Sequence, residues 1–190
     1  MKAYIIVLVL SVMSMNLCAQ SKDDKGKIKF SSINQLGLIS GGQGESALIQ
    51  TINGIKKDTW FAGAGVGFDF YSERGVPVFI DVRKELLNKK NTPFIYADGG
   101  VNFEWLNFIQ REQHNFPDVH PGAYYDVGAG WKLGGKNKGG FLMSIGYSFK
   151  QAKETASQQI YNPITRTVDA STYSSTYNYR RVVIKVGFQL

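Results

Sequence analysis

The stretch Trp60-Phe-Ala-Gly-Ala-Gly-Val-Gly-Phe-Asp-Phe-Tyr71 alternates with period two. Trp60, Ala62, Ala64, Val66, Phe68 and Phe70 fall on one face; Phe61, Gly63, Gly65, Gly67 and Asp69 fall on the other. Successive strand side chains point to opposite sides, so this is a strand with one greasy face and one small face that ends in a carboxylate. The same dyad closes the chain, where Val182, Ile184, Val186, Phe188 and Leu190 oppose Arg181, Val183, Lys185, Gly187 and Gln189.

Extending the reading outward predicts strands over 28–40, 46–55, 59–71, 77–86, 92–105, 121–133, 139–151 and 176–190, separated by Gly, Asn, Lys and Asp. Most run to about 10–14 residues, where globular strands average about 5–6 and a tilted membrane-crossing strand needs about 9–11. Connection lengths are asymmetric. Lys56–Asp58, Asn88–Asn91 and Gly134–Lys138 are short and fall on one side. Ser40–Glu45, Ser72–Val76, Leu106–His120 and Ala152–Ser175 fall on the other, the last two long. Short inner turns and longer outer loops are the pattern of outer-membrane barrels. The fold class expected is all-β: an eight-stranded antiparallel up-and-down transmembrane β-barrel over residues 28–190.

The N-terminus reads as a signal peptide over residues 1–19, followed by a short tail over 20–27. Lys2 supplies the positive start, Ala3–Met15 is apolar, and Ala19 precedes cleavage before Gln20. The apolar run of about 13 residues is shorter than the roughly 20 a spanning helix needs. Cys18 is the sole cysteine, and Leu17 before it disfavours lipidation. Cleavage removes it, leaving no disulfide or thiolate site. The net charge of +7 is spread over short groups such as Lys56-Lys57 and Lys89-Lys90, which read as solvated turns and not as a nucleic-acid surface.

These residues resemble the small outer-membrane β-barrel family of Gram-negative bacteria, the OmpA/OmpX type and especially its PorT-like branch. The likeness is carried by Trp60–Tyr71, by Val76-Pro-Val-Phe-Ile-Asp-Val-Arg83 and by Thr92-Pro-Phe-Ile-Tyr-Ala-Asp-Gly-Gly100. It implies an outer-membrane address, with the lipid bilayer as surroundings, the barrel-assembly machinery as a partner during insertion, and possible support of envelope or secretion assembly.

Two sets of residues follow from the alternation. Aromatic girdles at the two interfaces are assigned to Trp60, Phe94, Trp131, Phe141 and Phe188 near the inner ends, and to Phe70, Trp105, Tyr125, Phe149 and Tyr179 near the outer ends. The opposite faces carry Asp69, Asp81, Glu85, Asp98 and Asp126 against Arg83, Lys132, Lys150, Arg181 and Lys185. An eight-stranded barrel is just wide enough for side chains to fill it. Enclosed charges need partners, so the balanced set predicts a closed polar lumen with Arg181 shared among the upper carboxylates Asp69, Asp81 and Asp126. Gly63, Gly65, Gly67, Gly128, Gly130 and Gly146 are expected to make room for long Arg, Lys and Tyr side chains.

The leading functional reading is a non-enzymatic scaffold whose outer loops contact the outside or an envelope partner, with no cofactor and no metal. A lipid hydrolase or acyltransferase would need a serine placed beside His114 or His120, and no Gly-x-Ser-x-Gly element supplies one. Glu112 and Asp118 beside those histidines lack helical i, i+4 spacing for a metal. A narrow pore stays open, as does a soluble lipocalin-like barrel, which would turn the strands over and put Asp69 and Arg83 on the outside.

Overall fold

The structure is a computed structural model that describes residues 27–105, 118–134, 139–162 and 167–190. The leader, Cys18, Glu112 and His114 lie outside the described residues. Nine strands form in chain order: β1 (Lys29–Gly41), β2 (Gly44–Lys57), β3 (Trp60–Asp69), β4 (Gly75–Glu85), β5 (Thr92–Glu104), β6 (Asp118–His120), β7 (Gly122–Gly134), β8 (Gly140–Asn162) and β9 (Thr167–Gln189). Consecutive strands pair antiparallel from β1 to β5, β5 pairs with β7, β7 with β8, and both β8 and β1 pair with β9. Eight strands therefore close an up-and-down barrel and leave no open sheet edge around its wall.

The tight turns use residues that tolerate a left-handed backbone. Asp58, between β2 and β3, has φ of 52°, and Gly44 opens β2 at 102°. β6 is a short rim strand that continues β7 along β8, pairing His120 with Lys153. Pro121 separates the two. It has no N–H to give to the ladder, and the register slips by one residue across it.

The outward face is apolar: Leu36, Ile80, Ile95, Ile145 and Ile184 are all half exposed or more. Asp69 and Arg83 are buried inside. This is the inside-out arrangement of a membrane barrel, opposite to the lipocalin-like alternative.

Two sequence expectations need correction. Ala152–Ser175 is not a loop: β8 and β9 stay paired from Gln151↔Asn178 to Asn162↔Thr167 as a ribbon that rises beyond the barrel. Its Thr and Tyr residues suit a strand. It lacks the greasy alternation by which the other strands were found. Second, the interior is not wholly polar. Ile33, Ile52, Phe61, Phe79, Phe94, Tyr96, Tyr124 and Leu142 pack together in it, and Ile39, Leu48, Tyr71, Ala152, Tyr179 and Val183 form another apolar group toward the outer end.

Candidate functional site

Strand register decides which charges meet. Asp81, Asp98 and Asp126 are direct cross-strand partners on β4, β5 and β7, and the row continues through Ser148 on β8 to Arg181 on β9. Asp69 belongs to a different row, opposite Gly75 and then Glu104. Nine of the ten predicted lumen charges are buried, and Glu85 is half-buried at the inner end.

The charges sort into three layers. In the outer layer Arg181 is paired with Asp69 through Nη1, donates through Nη2 to Ser148 Oγ at 2.8 Å, and lies 5.3 Å from the Tyr71 ring centre. Lys150 donates to the Tyr71 carbonyl at 2.7 Å and approaches Asp69 at 3.4 Å. In the middle layer Arg83 grips Asp81 with Nε at 2.8 Å and Nη2 at 2.7 Å. Lys185 donates to Asp126 at 2.9 Å, stands 3.5 Å from Asp98, and sits 4.1 Å from the Tyr96 ring centre. In the inner layer Glu85 accepts from Lys132 at 2.9 Å and is also paired with Lys56.

Arg181 is thus not shared among the upper carboxylates. It takes Asp69 alone, because Arg83 is already on Asp81 and Lys185 and the Tyr96 hydroxyl are already on Asp126. Lys56, read from sequence as a turn lysine, reaches the inner layer.

Sequence reasoning counted charges and so missed the neutral members. Gln35 donates to Gln50 at 2.6 Å, Gln50 donates to the Tyr124 hydroxyl at 2.9 Å, and Tyr96 donates to Asp126 at 2.8 Å. The signal was available: all four share strand parity with a lumen charge or an inward glycine on their own or a neighbouring strand. The glycines make room chiefly for rings and not for Arg or Lys. Tyr96 lies over its register neighbours Gly128 and Gly146, Phe79 over Gly65 and Phe94 over Gly130.

The girdle assignments divide. Trp60, Phe70, Trp105, Tyr125, Trp131, Phe141 and Phe188 are exposed on the outside, with Phe149 half-buried there and stacked on Tyr125 at 4.7 Å. Phe94 and Tyr179 belong inside: Phe94 is 2% and Tyr179 9% exposed. Parity explains both, since Phe94 is four residues from inward Asp98 and Tyr179 is two from inward Arg181.

A small recess at the inner end, with room for about one water molecule, is lined by Phe61, Arg83, Glu85, Phe94, Lys132 and Leu142 among others. His120 is exposed on β6 at the rim. Among the described residues no group of three His, Cys, Asp or Glu side chains is placed to hold a metal ion.

No protein-family model matches the chain, and no curated protein does either. Solved structures do. The N-terminal β-barrel domain of Pseudomonas aeruginosa OprF is similar over 86% of this chain and 100% of its own, with 11% identity and a TM-score of 0.50. Outer membrane protein AlkL, solved in DMPC lipid bilayers, is similar over 92% of this chain and 94% of its own, again with 11% identity and a TM-score of 0.50. Identity that low carries fold alone, and together with the apolar exterior and ion-paired interior it shows what the fold is: a small closed eight-stranded antiparallel barrel like those of the outer-membrane proteins it resembles.

Proposed function

We propose that the protein is an integral outer-membrane barrel with a closed interior, acting as a non-enzymatic scaffold that holds the β8–β9 ribbon out toward a partner. The observation that carries this reading is the filled interior. Three layers of ion pairs, with apolar packing between them, occupy the space an eight-stranded barrel encloses. The charges lock to one another instead of lining a passage, and the surface left to recognise anything is the polar ribbon.

Export behind the 1–19 leader fits this reading. The membrane-bound form is then expected to begin near Gln20, to fractionate with the outer membrane, and to run faster on a gel unheated than boiled. A soluble periplasmic protein with no such shift would overturn the proposal. Purified protein in planar bilayers is expected to give no steady conductance; a stable ohmic conductance would replace the scaffold with a pore.

A further inference from the structure

The outward face of β3 carries a pattern that closing a barrel does not require. Register sets Trp60 between Lys57 on β2 and Lys84 on β4, in one row across three strands on the outside of the inner end. Trp60 and Lys57 are exposed, and Lys84 lays its Nζ 4.3 Å from the Trp60 ring centre. That contact rests an ammonium on an aromatic face and leans Lys84 toward Lys57. Neither lysine has an ion-pair partner among the described residues. Their sequence neighbours Lys56 and Glu85 face the lumen and pair with each other there. With exposed Lys89 and Lys90 in the β4–β5 turn, four lysines stand against Asp58 on this side.

A furrow leads from that row toward the middle of the barrel wall. The next two outward rows are Ile55, Ala62 and Val82, then Asn53, Ala64 and Ile80. Ile55, Val82 and Ile80 stand exposed on the flanks, whereas β3 contributes only two methyl groups as the floor. The row after them, Thr51, Val66 and Val78, closes the furrow with a valine. Rows on one face are two residues apart, so the furrow runs about 13 Å along the strand, and Lys57 and Lys84 stand two strand spacings, about 10 Å, apart at its head.

We infer that this face holds one anionic glycerophospholipid of the inner leaflet, its phosphate between Lys57 and Lys84 beside the Trp60 ring and one acyl chain lying along Ala62 and Ala64. Lysines at a membrane surface attract anionic lipid, and a tryptophan of the aromatic girdle marks the headgroup level. A zwitterionic lipid would bring a cation of its own to a surface already rich in lysine, so net negative charge is what the site selects. Small floor residues let the chain come close to the backbone and be touched from both flanks, a gain in packing where lipid and wall are equally apolar. The inference rests on the outer-membrane reading above, which puts this end of the barrel at the periplasmic interface, and it holds for a plug or a pore alike.

The test uses the variant W105F/W131F, which leaves Trp60 as the sole tryptophan, in phosphatidylcholine vesicles holding a minor share of either acyl-brominated phosphatidylglycerol or acyl-brominated phosphatidylcholine. Bromine quenches the Trp60 fluorescence of a barrel whose neighbouring lipid carries it. Phosphatidylglycerol is expected to associate about 25-fold more strongly, about fivefold for each lysine. K57Q and K84Q should each cut the preference about fivefold and together abolish it, while K153Q, at the opposite end of the barrel, keeps it. A62L, which fills the furrow, should weaken quenching by phosphatidylglycerol with both lysines in place; quenching as strong as before would overturn the seat of the chain. The parent carries the same comparison by native mass spectrometry from detergent, where one phosphatidylglycerol is expected to stay bound and phosphatidylcholine to leave. Heat-modifiable migration checks insertion in every vesicle sample. A barrel that inserts and is quenched alike by both lipids, or a preference that survives in K57Q/K84Q, overturns the site and leaves the outer-membrane reading standing. A chain that does not insert overturns that reading and the site with it.

Discussion

At the scale of single residues, burial sets the worth of each charge. Arg181 is 2% exposed and its partner Asp69 1%. R181L leaves Asp69 with Lys150 at 3.4 Å as its remaining cation and strands Ser148. Removing one member of a buried pair costs about 3–5 kcal/mol, so the variant is expected to lose the folded gel band at a clearly lower temperature than the parent. Replacing both partners, D69L/R181L, should recover part of the loss, because no lone charge then stays buried. Glu85 makes the contrast. Its side chain is 15% exposed at the inner end, where water screens it, so E85Q should cost less than R181L in the same melt. That these residues are charged and share a face was legible from alternation; their partners were not, since pairing needs register across strands far apart in sequence.

At the scale of elements, the barrel wall rests on rings laid over glycines. A Cβ at Gly65 would come within 2.6 Å of the Phe79 ring. Overpacking of this kind costs about 1–3 kcal/mol. G65V is therefore expected to lower the unfolding midpoint, and adding F79A should restore some of it; a G65V that melts like the parent would mean the ring has another place to go. The β8–β9 ribbon behaves differently, because its strands pair with each other beyond the point where the barrel closes. Replacing residues 156–173 with Asn-Gly, a two-residue hairpin turn, should leave the barrel folded and its heat-modifiable migration intact. Loss of folding would show that the ribbon is needed to nucleate β8 and β9.

At the scale of the whole molecule, the lipid band sets a gradient along every strand. Ile80, 66% exposed in the middle of β4, is expected to tolerate Lys at a cost of about 2–4 kcal/mol, whereas Ser40 near the outer end of β1 should accept it for about 0–1 kcal/mol. Denaturant unfolding from lipid vesicles measures both. Equal costs at the two positions would mean that this outer face does not meet lipid.

The sequence by itself determined the strands whose outer face is greasy, the short turns after β2 and β4, and ten of the lumen charges with their signs, because lipid on one side imposes a period of two on each strand locally. It could not read the ribbon, whose sequence lacks that period. It placed Phe94 and Tyr179 by their position along the strand, when parity sends them inside. Only the tertiary structure decided that Asp81, Asp98 and Asp126 share a row and that Arg181 takes Asp69 alone. Those meetings depend on how eight strands are staggered when the sheet closes on itself, a property of the closed ring that no single strand contains.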